Sequence, residues 1–294
     1  MPWLQIRTHA TPEYIPQLED TLLECGAMVV TFEDVNDDPV YEPELNTTPL
    51  WNHTKITGLF EADADVDAIR PILETTAKKL DLQLDFKIEI LEDKDWEREW
   101  MDSYHPIQFG ERLWVCPSWR EVPDPEAVTL MLDPGLAFGT GTHPTTALCL
   151  QWLDSIDCKN KTIIDYGCGS GILGIAGLLL GATNMVGIDI DPQAVEATQA
   201  NAVRNKIDST RLEVKRPPYE SNLQAEIVVA NILAGPLAQL APTISELVAP
   251  GGLLALSGIL SSQSQEVIDA YTTWFIIDSI TEHEEWVRIV GTKK

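Results

Sequence analysis

The stretch DYGCGSGILGIAG, residues 165–177, decides the fold of this chain. An apolar segment typical of a buried strand precedes it, and a helical apolar pattern begins within it. Glycines between a strand and a helix let the backbone approach a ligand closely, and they can direct free backbone N–H groups towards that ligand. The pattern therefore predicts a ligand-binding turn that contains Asp165, Gly167, Gly169 and Gly171.

Residues 110–294 alternate between strand and helix patterns around this turn. Five short strand candidates follow one another, separated by helical or loop segments: TIIDYG, NMVGIDID, RLEVKR, AEIVVANIL and GGLLALSGIL. Such alternation is typical of an α/β fold with a doubly wound, mostly parallel sheet. The tail, residues 274–294, has two strand patterns with no helix between them, which predicts an antiparallel hairpin at the sheet edge.

The first 92 residues follow a different order. Their strand and helix patterns run β-α-β-β-α-β, which predicts a smaller ferredoxin-like α+β domain over residues 1–92. Residues 93–109 carry Trp96 and Trp100 in a highly charged helical pattern. Tryptophans four residues apart lie on one helix face, so we predict a linker helix that docks against a domain.

Composition limits the cellular setting. The chain has no apolar run near the roughly 18 residues that a membrane span needs, so we expect no membrane association. The start, MPWLQIRTHA, lacks a basic segment followed by an apolar core, which predicts a cytoplasmic protein without a secretory signal. The five cysteines form no C-x-x-C pair and have no suitably spaced histidine, so we expect neither disulfides nor a metal site.

The formal net charge is −26. Acidic residues outnumber basic ones both in residues 1–92 and in the remainder of the chain. Nucleic-acid binding depends largely on Lys and Arg that neutralise phosphates, so we expect no direct nucleic-acid partner. The charge favours basic partners instead.

The glycine spacing alone leaves two cofactors open. Gly169, Gly171 and Gly174 satisfy the dinucleotide fingerprint G-x-G-x-x-G, and Asp189 follows Gly169 by 20 residues, as that fingerprint expects. The pattern from Asp165 to Gly171 fits a turn that binds S-adenosylmethionine equally well. Asp189 can accept hydrogen bonds from ribose hydroxyls in either cofactor, so it does not discriminate between them.

Two other features favour S-adenosylmethionine. A carboxylate at Asp165 repels a pyrophosphate, whereas it can help to hold the positively charged amino-acid end of S-adenosylmethionine, directly or through water. The antiparallel hairpin is unusual in dinucleotide-binding sheets but is found in class I methyltransferases. A turn with only a packing role is the less favoured alternative, because so many glycines cost backbone entropy.

The fourth strand candidate ends at Asn231. Ligands of such sheets bind outside the carboxyl ends of the strands, so Asn231 is predicted to face the same crevice. Its side-chain carbonyl and the backbone carbonyl of Ile232 can each accept a hydrogen bond from an amine and aim the nitrogen at a methyl group. A lysine must arrive uncharged, and burial beside a cation lowers its pKa. An Asn with only a turn or cap role is the alternative.

Residues 133–146, DPGLAFGTGTHPTT, precede the first strand of this fold. No Lys follows Gly141, which excludes a Walker A phosphate loop. We predict a flexible segment that folds over the cofactor and leads into a helix at Thr145. His143 is predicted to be a structural hydrogen-bonding residue, with a direct chemical role as the alternative.

Several long motifs carry a resemblance to a known family. In chain order they are AFGTGTHPTT, DYGCGSGILGIAG, GIDIDPQAV, NILAGPL and LSGIL. Together they resemble the bacterial methyltransferases that act on large-subunit ribosomal protein eleven, over nearly the whole chain. The resemblance implies S-adenosylmethionine-dependent methylation of lysine ε-amines and an N-terminal α-amine of that protein, with a recognition domain at residues 1–92 on a mobile linker. It places Thr145, Gly167, Asp189 and Asn231 on the family's cofactor-binding positions.

Two alternatives remain. Methylation of a nucleobase or an amide is one, although the prolines and the aromatic residue that such enzymes carry after the Asn or Asp are missing at NIL. The other is a non-catalytic module for ribosome assembly or binding. The intact glycine turn with both acids argues against it.

Overall fold

In a computed structural model, residues 2–36, 50–91, 101, 104–133, 141–219 and 222–294 are described. The chain divides into two compact units, Met1–Met101 and Asp102–Lys294. Most of the predicted linker, residues 93–100 and 102–103, lies outside the described residues, as do residues 134–140 of the predicted cofactor-covering segment.

The first unit is a four-stranded antiparallel sheet with two helices. Its strands are β1 (Trp3–Ala10), β2 (Val29–Asp34), β3 (Thr54–Glu61) and β4 (Lys87–Leu91), and its helices are α1 (Ile15–Glu24) and α2 (Val66–Lys79), with a 3₁₀ turn at Pro12–Tyr14. The strand order is β2-β3-β1-β4. With its β-α-β-β-α-β chain order, this is the predicted ferredoxin-like arrangement.

Local sequence explains the boundaries and the core of this unit. Asp65 caps α2 by accepting hydrogen bonds from the N–H groups of residues 67 and 68, both at 3.1 Å. Apolar side chains from the sheet and both helices, among them Ile6, Leu18, Phe60 and Leu73, fill the space between the layers. The unit therefore has a hydrophobic core of its own.

The second unit contains a seven-stranded sheet. Its strands are β8 (Thr162–Tyr166), β9 (Asn184–Ile188), β10 (Leu212–Lys215), β11 (Ala225–Asn231), β12 (Val248–Leu260), β13 (Phe275–His283) and β14 (Trp286–Lys293). The order is β10-β9-β8-β11-β12-β14-β13, and β14 runs antiparallel to both of its neighbours. The other neighbouring strands are parallel. The doubly wound sheet with an antiparallel edge hairpin is confirmed.

Helices cover both faces of this sheet. They are α3 (Pro144–Ser155), α4 (Ile172–Leu179), α5 (Pro192–Arg204), α6 (Ala234–Gln239), α7 (Ala241–Leu247) and α8 (Ser264–Tyr271), with a 3₁₀ turn at Ser261–Gln263. Alternate residues of each strand point to opposite faces. Thus Ile163 and Val229 pack in the core that includes α3 and α4, whereas Val228 packs in the core that includes α6 and α7.

A small third sheet was not predicted as a sheet. It consists of β5 (Ile107–Phe109), β6 (Leu113–Cys116) and β7 (Val128–Met131), in the order β5-β6-β7. Only β6 lies within a segment whose sequence has a strand pattern, RLWVCPSW at residues 112–119. Residues 107–109 therefore form a strand rather than the end of the predicted linker helix. The reason is the reversal at residues 110–112, where Asp154 accepts hydrogen bonds from two backbone N–H groups and allows β5 to pair with β6.

Candidate active site

The glycine turn joins β8 to α4. Gly167, Gly169 and Gly171 have φ angles of +73°, +52° and +76°, a region that side-chain-bearing residues rarely adopt. A Cβ atom at Gly171 would lie 2.7 Å from the Cγ2 atom of Thr198, and one at Gly167 would overlap the side chain of Ile232. The turn therefore needs glycine both for its backbone conformation and for close packing against α5 and the end of β11.

Several backbone N–H groups of this turn are bound within the protein, so the expectation that they point freely at a ligand is wrong for them. Gly167 and Cys168 donate to the carbonyl of Ile188, and Gly171 donates to the carbonyl of Cys168. Gly169 donates to Asp189 Oδ2 at 2.9 Å. The physical reason is that the adjacent end of β9 supplies acceptors within reach. The glycines instead allow the close approach of neighbouring elements.

Asp189 lies directly after β9, beside the turn. Besides the bond to Gly169, its Oδ1 atom accepts a hydrogen bond from the N–H of Asp191 at 3.0 Å. These two bonds fix the carboxylate, and each oxygen retains a second acceptor position. The next residue, Ile190, leaves 77% of its surface exposed. Sequence reasoning missed this residue, which places an exposed apolar side chain next to the acid in the chain.

Two further strand-end features adjoin Asp189. Its N–H donates to the carbonyl of Lys215 at the end of β10. A cavity of about 560 Å³ opens there, lined by Glu213, Lys215, Arg216, Pro218 and Tyr219. Open space therefore adjoins the carboxyl end of β10, on the edge of the sheet where ligands of doubly wound sheets bind.

Asp165 is buried at the end of β8, with 1% of its surface exposed. Its Oδ2 atom accepts a hydrogen bond from the N–H of Gly174 at 2.9 Å. Burial raises the pKa of its carboxyl group to about 7, the Gly174 N–H partly offsets this effect, and the charge of Asp189 adds to it. A cation brought near Asp165 would favour the ionised carboxylate and would be stabilised by it.

Asn231 ends β11 and carries an unsatisfied acceptor. Its Nδ2 atom donates to Thr146 Oγ1 at 3.2 Å, which fixes the amide. Its Oδ1 atom is buried and has no hydrogen-bond partner among the residues that the structure describes. A buried acceptor without a partner costs roughly 1–3 kcal/mol, so this carbonyl is suited to a donor from a ligand.

Ile232 is held between two glycines. Its side chain packs against Gly167 of the turn, and its backbone carbonyl lies directly over Gly258, where any Cβ atom would overlap the carbonyl oxygen. Gly258 has a φ angle of +84° and lies at an irregularity between β12 and β14. Sequence reasoning missed Gly258, although the motif LSGIL contains it. The signal was a glycine inside a strand, which often marks a close backbone approach.

The start of α3 lies next to Asn231. His143 caps this helix, with its Nδ1 atom 2.8 Å from Thr145 Oγ1 and 3.3 Å from the Thr145 N–H. Its ring contacts Trp286 edge to face, at 4.9 Å between ring centroids, and burial lowers its pKa. These contacts fit the predicted structural role of His143. The Thr145 side chain is buried and faces His143, whereas its neighbour Thr146 contacts Asn231.

The predicted residues thus gather at one edge of the sheet. Asp165, Asp189 and Asn231 stand at the carboxyl ends of β8, β9 and β11, and the turn touches both Asp189 and Ile232. Within the described ranges, no group of three or more His, Cys, Asp or Glu side chains is placed to hold a metal ion. No helix in those ranges is long and apolar enough to cross a membrane. The five cysteines are free thiols.

Comparison with known proteins agrees with this geometry. A family model described as ribosomal protein L11 methyltransferase (PrmA) matches residues 2–294. The chain is 81% identical to the ribosomal protein L11 methyltransferase of Marinomonas sp. (strain MWYL1), over 100% of this chain and 99% of that protein. It is 55% identical to the protein of the same name from Shewanella woodyi, over the full length of both.

A solved structure agrees as well. The crystal structure of a ribosomal protein L11 methylase from Lactobacillus delbrueckii subsp. bulgaricus is 28% identical, with a TM-score of 0.59, and covers 65% of this chain and 98% of that chain. Together these matches confirm the class I methyltransferase fold, the enzyme class and S-adenosylmethionine as the cofactor. This chain belongs to the ribosomal protein L11 methyltransferase family.

Proposed function

We propose that this protein transfers methyl groups from S-adenosylmethionine to the lysine ε-amines and the N-terminal α-amine of ribosomal protein L11. The observation that carries the proposal is the buried Oδ1 atom of Asn231 at the carboxyl end of β11, which no described residue supplies with a hydrogen bond. The names of the relatives support the substrate. A substrate amine has N–H groups that can donate the missing hydrogen bond to Asn231 Oδ1.

The two carboxylates suit a cationic cofactor. S-adenosylmethionine supplies a methyl group on a positively charged sulfur that leaves as a neutral thioether. We assign Asp189 to the ribose hydroxyls, because both of its oxygens are fixed by backbone N–H groups and retain acceptor positions. We assign Asp165 to the amino-acid end of the cofactor, directly or through water, because a cation offsets the cost of its buried charge. Thr145, Gly167, Gly169 and Gly171 complete the proposed cofactor site.

Positioning is the main task of the acceptor residues. The Asn231 carbonyl and the Ile232 backbone carbonyl each accept an N–H of the incoming amine, so that the nitrogen lone pair points at the methyl group. Since the sulfonium is already a good leaving group, alignment contributes most of the rate enhancement. The amine must be uncharged to react, and the proposal assigns no general base.

The acidic first unit suits a basic partner. A cavity of about 470 Å³ in this unit has an apolar lining that includes Phe60 and Ile69, and Glu24, Glu61 and Asp63 border it. We propose that residues 1–92 recognise the basic ribosomal protein through such surfaces and that residues 93–109 carry this unit as a linker. Ribosomal proteins are made in the cytoplasm, so we place the reaction there, without nucleic-acid or membrane partners.

Transfer of labelled methyl groups to purified L11 tests the proposal. We expect label on amine nitrogens with the wild-type chain and about a 100-fold lower kcat for Asn231→Ala, because the lost carbonyl no longer aligns the amine. Asn184→Ala, at the opposite end of the sheet, is the matched control and should retain activity. Folded wild-type protein that binds the cofactor by calorimetry but labels no amine would rule the proposal out. Protein that gives no binding heat would favour a non-catalytic module.

A further inference from the structure

Arg288 is a buried cation in the core of the second unit. Only 8% of its surface is exposed. Its guanidinium donates to the carbonyl of Leu148 at 2.7 Å and to Thr281 Oγ1 at 2.8 Å, and its buried Nε atom has no hydrogen-bond partner in the described ranges. Both partners are uncharged. A buried charge with neutral partners is costly, which calls for a reason beyond packing.

Three of the charged groups on the elements around Arg288 are bound to other residues. On β13, Asp278 binds Thr292 and Glu282 binds Ser261, while on α3 Asp154 pairs with Arg112. Cys149 of α3 is close to Arg288, but burial raises the pKa of its thiol to about 12, so the thiol is uncharged. The remaining titratable residues of these elements are His283 on β13, Glu266, Asp269 and Tyr271 on α8, Lys293 on β14, and Glu284 and Glu285 in the hairpin turn. Within the described part of the chain, none of the carboxylates forms an ion pair with Arg288.

Arg288 lies on the side of the sheet that carries the proposed amine site. Asn231 is paired in register with Ser257 on β12, and Ser257 donates to the carbonyl of Val287 on β14. Asn231 and Arg288 both bond to residues of α3, at Thr146 and Leu148. Two strand spacings of about 4.8 Å separate β11 from β14, and the guanidinium donates to Thr281 on β13, one strand further from β11, so it is roughly 10–15 Å from the amide.

A cation at this distance affects the protonation of a bound amine. Burial lowers the pKa of Arg288, but a guanidinium stays charged in proteins. With an effective dielectric constant near 20, a unit charge about 10–15 Å away shifts the pKa of a second cationic group by about one unit. A free lysine has a pKa near 10.4, so such a shift increases the reactive fraction about tenfold near neutral pH.

We propose that the charge of Arg288 favours the uncharged form of the amine bound at Asn231. It acts through its electric field rather than by touching the substrate, and the proton leaves to water before methyl transfer. The carboxylates of Asp165 and Asp189 oppose this effect from the cofactor side, and burial lowers the pKa of His143 at the start of α3, which favours its uncharged form. The inference rests on the proposed amine methylation.

The pH dependence of kcat tests the inference, because at saturating cofactor and L11 it reports the ionisation of the bound amine. Arg288→Met and Arg288→Gln should move the acidic limb about one pH unit upward, so that kcat falls about tenfold near pH 7 and returns to the wild-type value above the limb. Arg288→Lys retains the charge and should keep the limb within about 0.3 pH units of the wild type. Calorimetry with the cofactor and thermal unfolding serve as controls for the fold.

Each outcome has a distinct meaning. A drop in kcat that is equal at all pH values would assign Arg288 to packing and overturn the inference. Loss of folding in both neutral variants would overturn it as well, because Arg288 would then be needed for the fold itself. If the wild-type chain methylated no amine, the proposed function would fail instead, and that result is visible before any variant is made.

Discussion

The two ends of the proposed crevice are built with opposite electrostatics. At the ends of β8 and β9, Asp165 and Asp189 bring two carboxylates close to the glycine turn, and the N–H of Gly169 is used to hold one of them. At the end of β11, Asn231 and Ile232 offer uncharged carbonyls, and the buried Arg288 lies two strands away. A permanently cationic methyl donor needs negative charge nearby, whereas an amine must lose its charge to react. Separate ends of one crevice can meet both requirements.

The two ends touch at Ile232, which packs against Gly167 and Gly258. Gly258→Ala therefore has the largest expected effect. A Cβ atom would overlap the Ile232 carbonyl and displace it, so we expect about a 1,000-fold lower kcat, whereas the cofactor Kd should change less than about threefold. Enzyme kinetics with L11 and calorimetry with S-adenosylmethionine measure the two effects separately.

Gly251→Ala is the matched control for this prediction. Gly251 also lies in β12 with a φ angle of +73°, but a Cβ atom there meets nothing within 4 Å. It should lose roughly 1 kcal/mol of stability through backbone strain and keep its activity. If Gly258→Ala weakened cofactor binding as much as it lowered kcat, the two ends would not be separable.

The pH dependence of protein stability tests the role of Asp165 at the cofactor end of the crevice. Its folded-state pKa of about 7 is above the ordinary value of 3.8, so its charge destabilises the folded protein progressively as the pH rises through this range. Without cofactor, Asp165→Asn should therefore raise the free energy of unfolding by about 2–3 kcal/mol at pH 8.5 and by much less at pH 4. Urea unfolding at the two pH values measures this difference.

The Asp165→Asn substitution should also weaken cofactor binding, because the carboxylate that would interact with the cationic end of the cofactor is lost. We expect about a tenfold higher Kd by calorimetry. Glu196→Gln, which removes one charge from the exposed side of α5, should change neither quantity appreciably. Equal stabilisation at both pH values would show that burial of the Asp165 charge is not its cause.

Much of the fold and part of the site were predictable from local patterns. Asp189 was predicted from its position 20 residues after Gly169, and the edge hairpin from two strand patterns without a helix between them. Gly258 and Arg288 were not predicted, because their roles depend on which strands become neighbours across the sheet. In the strand segment WVRIVG, the sequence is compatible with an exposed position for Arg288. In the structure, however, helix α3 covers this residue. The strand β5, with three residues, was too short to show a periodic pattern.

Asp189→Asn has the smallest expected effect and tests the cofactor end alone. Its carboxylate accepts N–H groups from Gly169 and Asp191 on separate oxygens, so an amide must place its own NH₂ group opposite one of them. We expect about a tenfold higher Kd for the cofactor and a kcat within about twofold of wild type at saturation, because the acceptor end is unchanged. Asp191→Asn is the control, since it removes the same charge two residues away while Asn caps α5 as well as Asp does. A lower kcat with an unchanged Kd for Asp189→Asn would show that this carboxylate acts at the acceptor end rather than at the cofactor end. That result would contradict the division of the crevice.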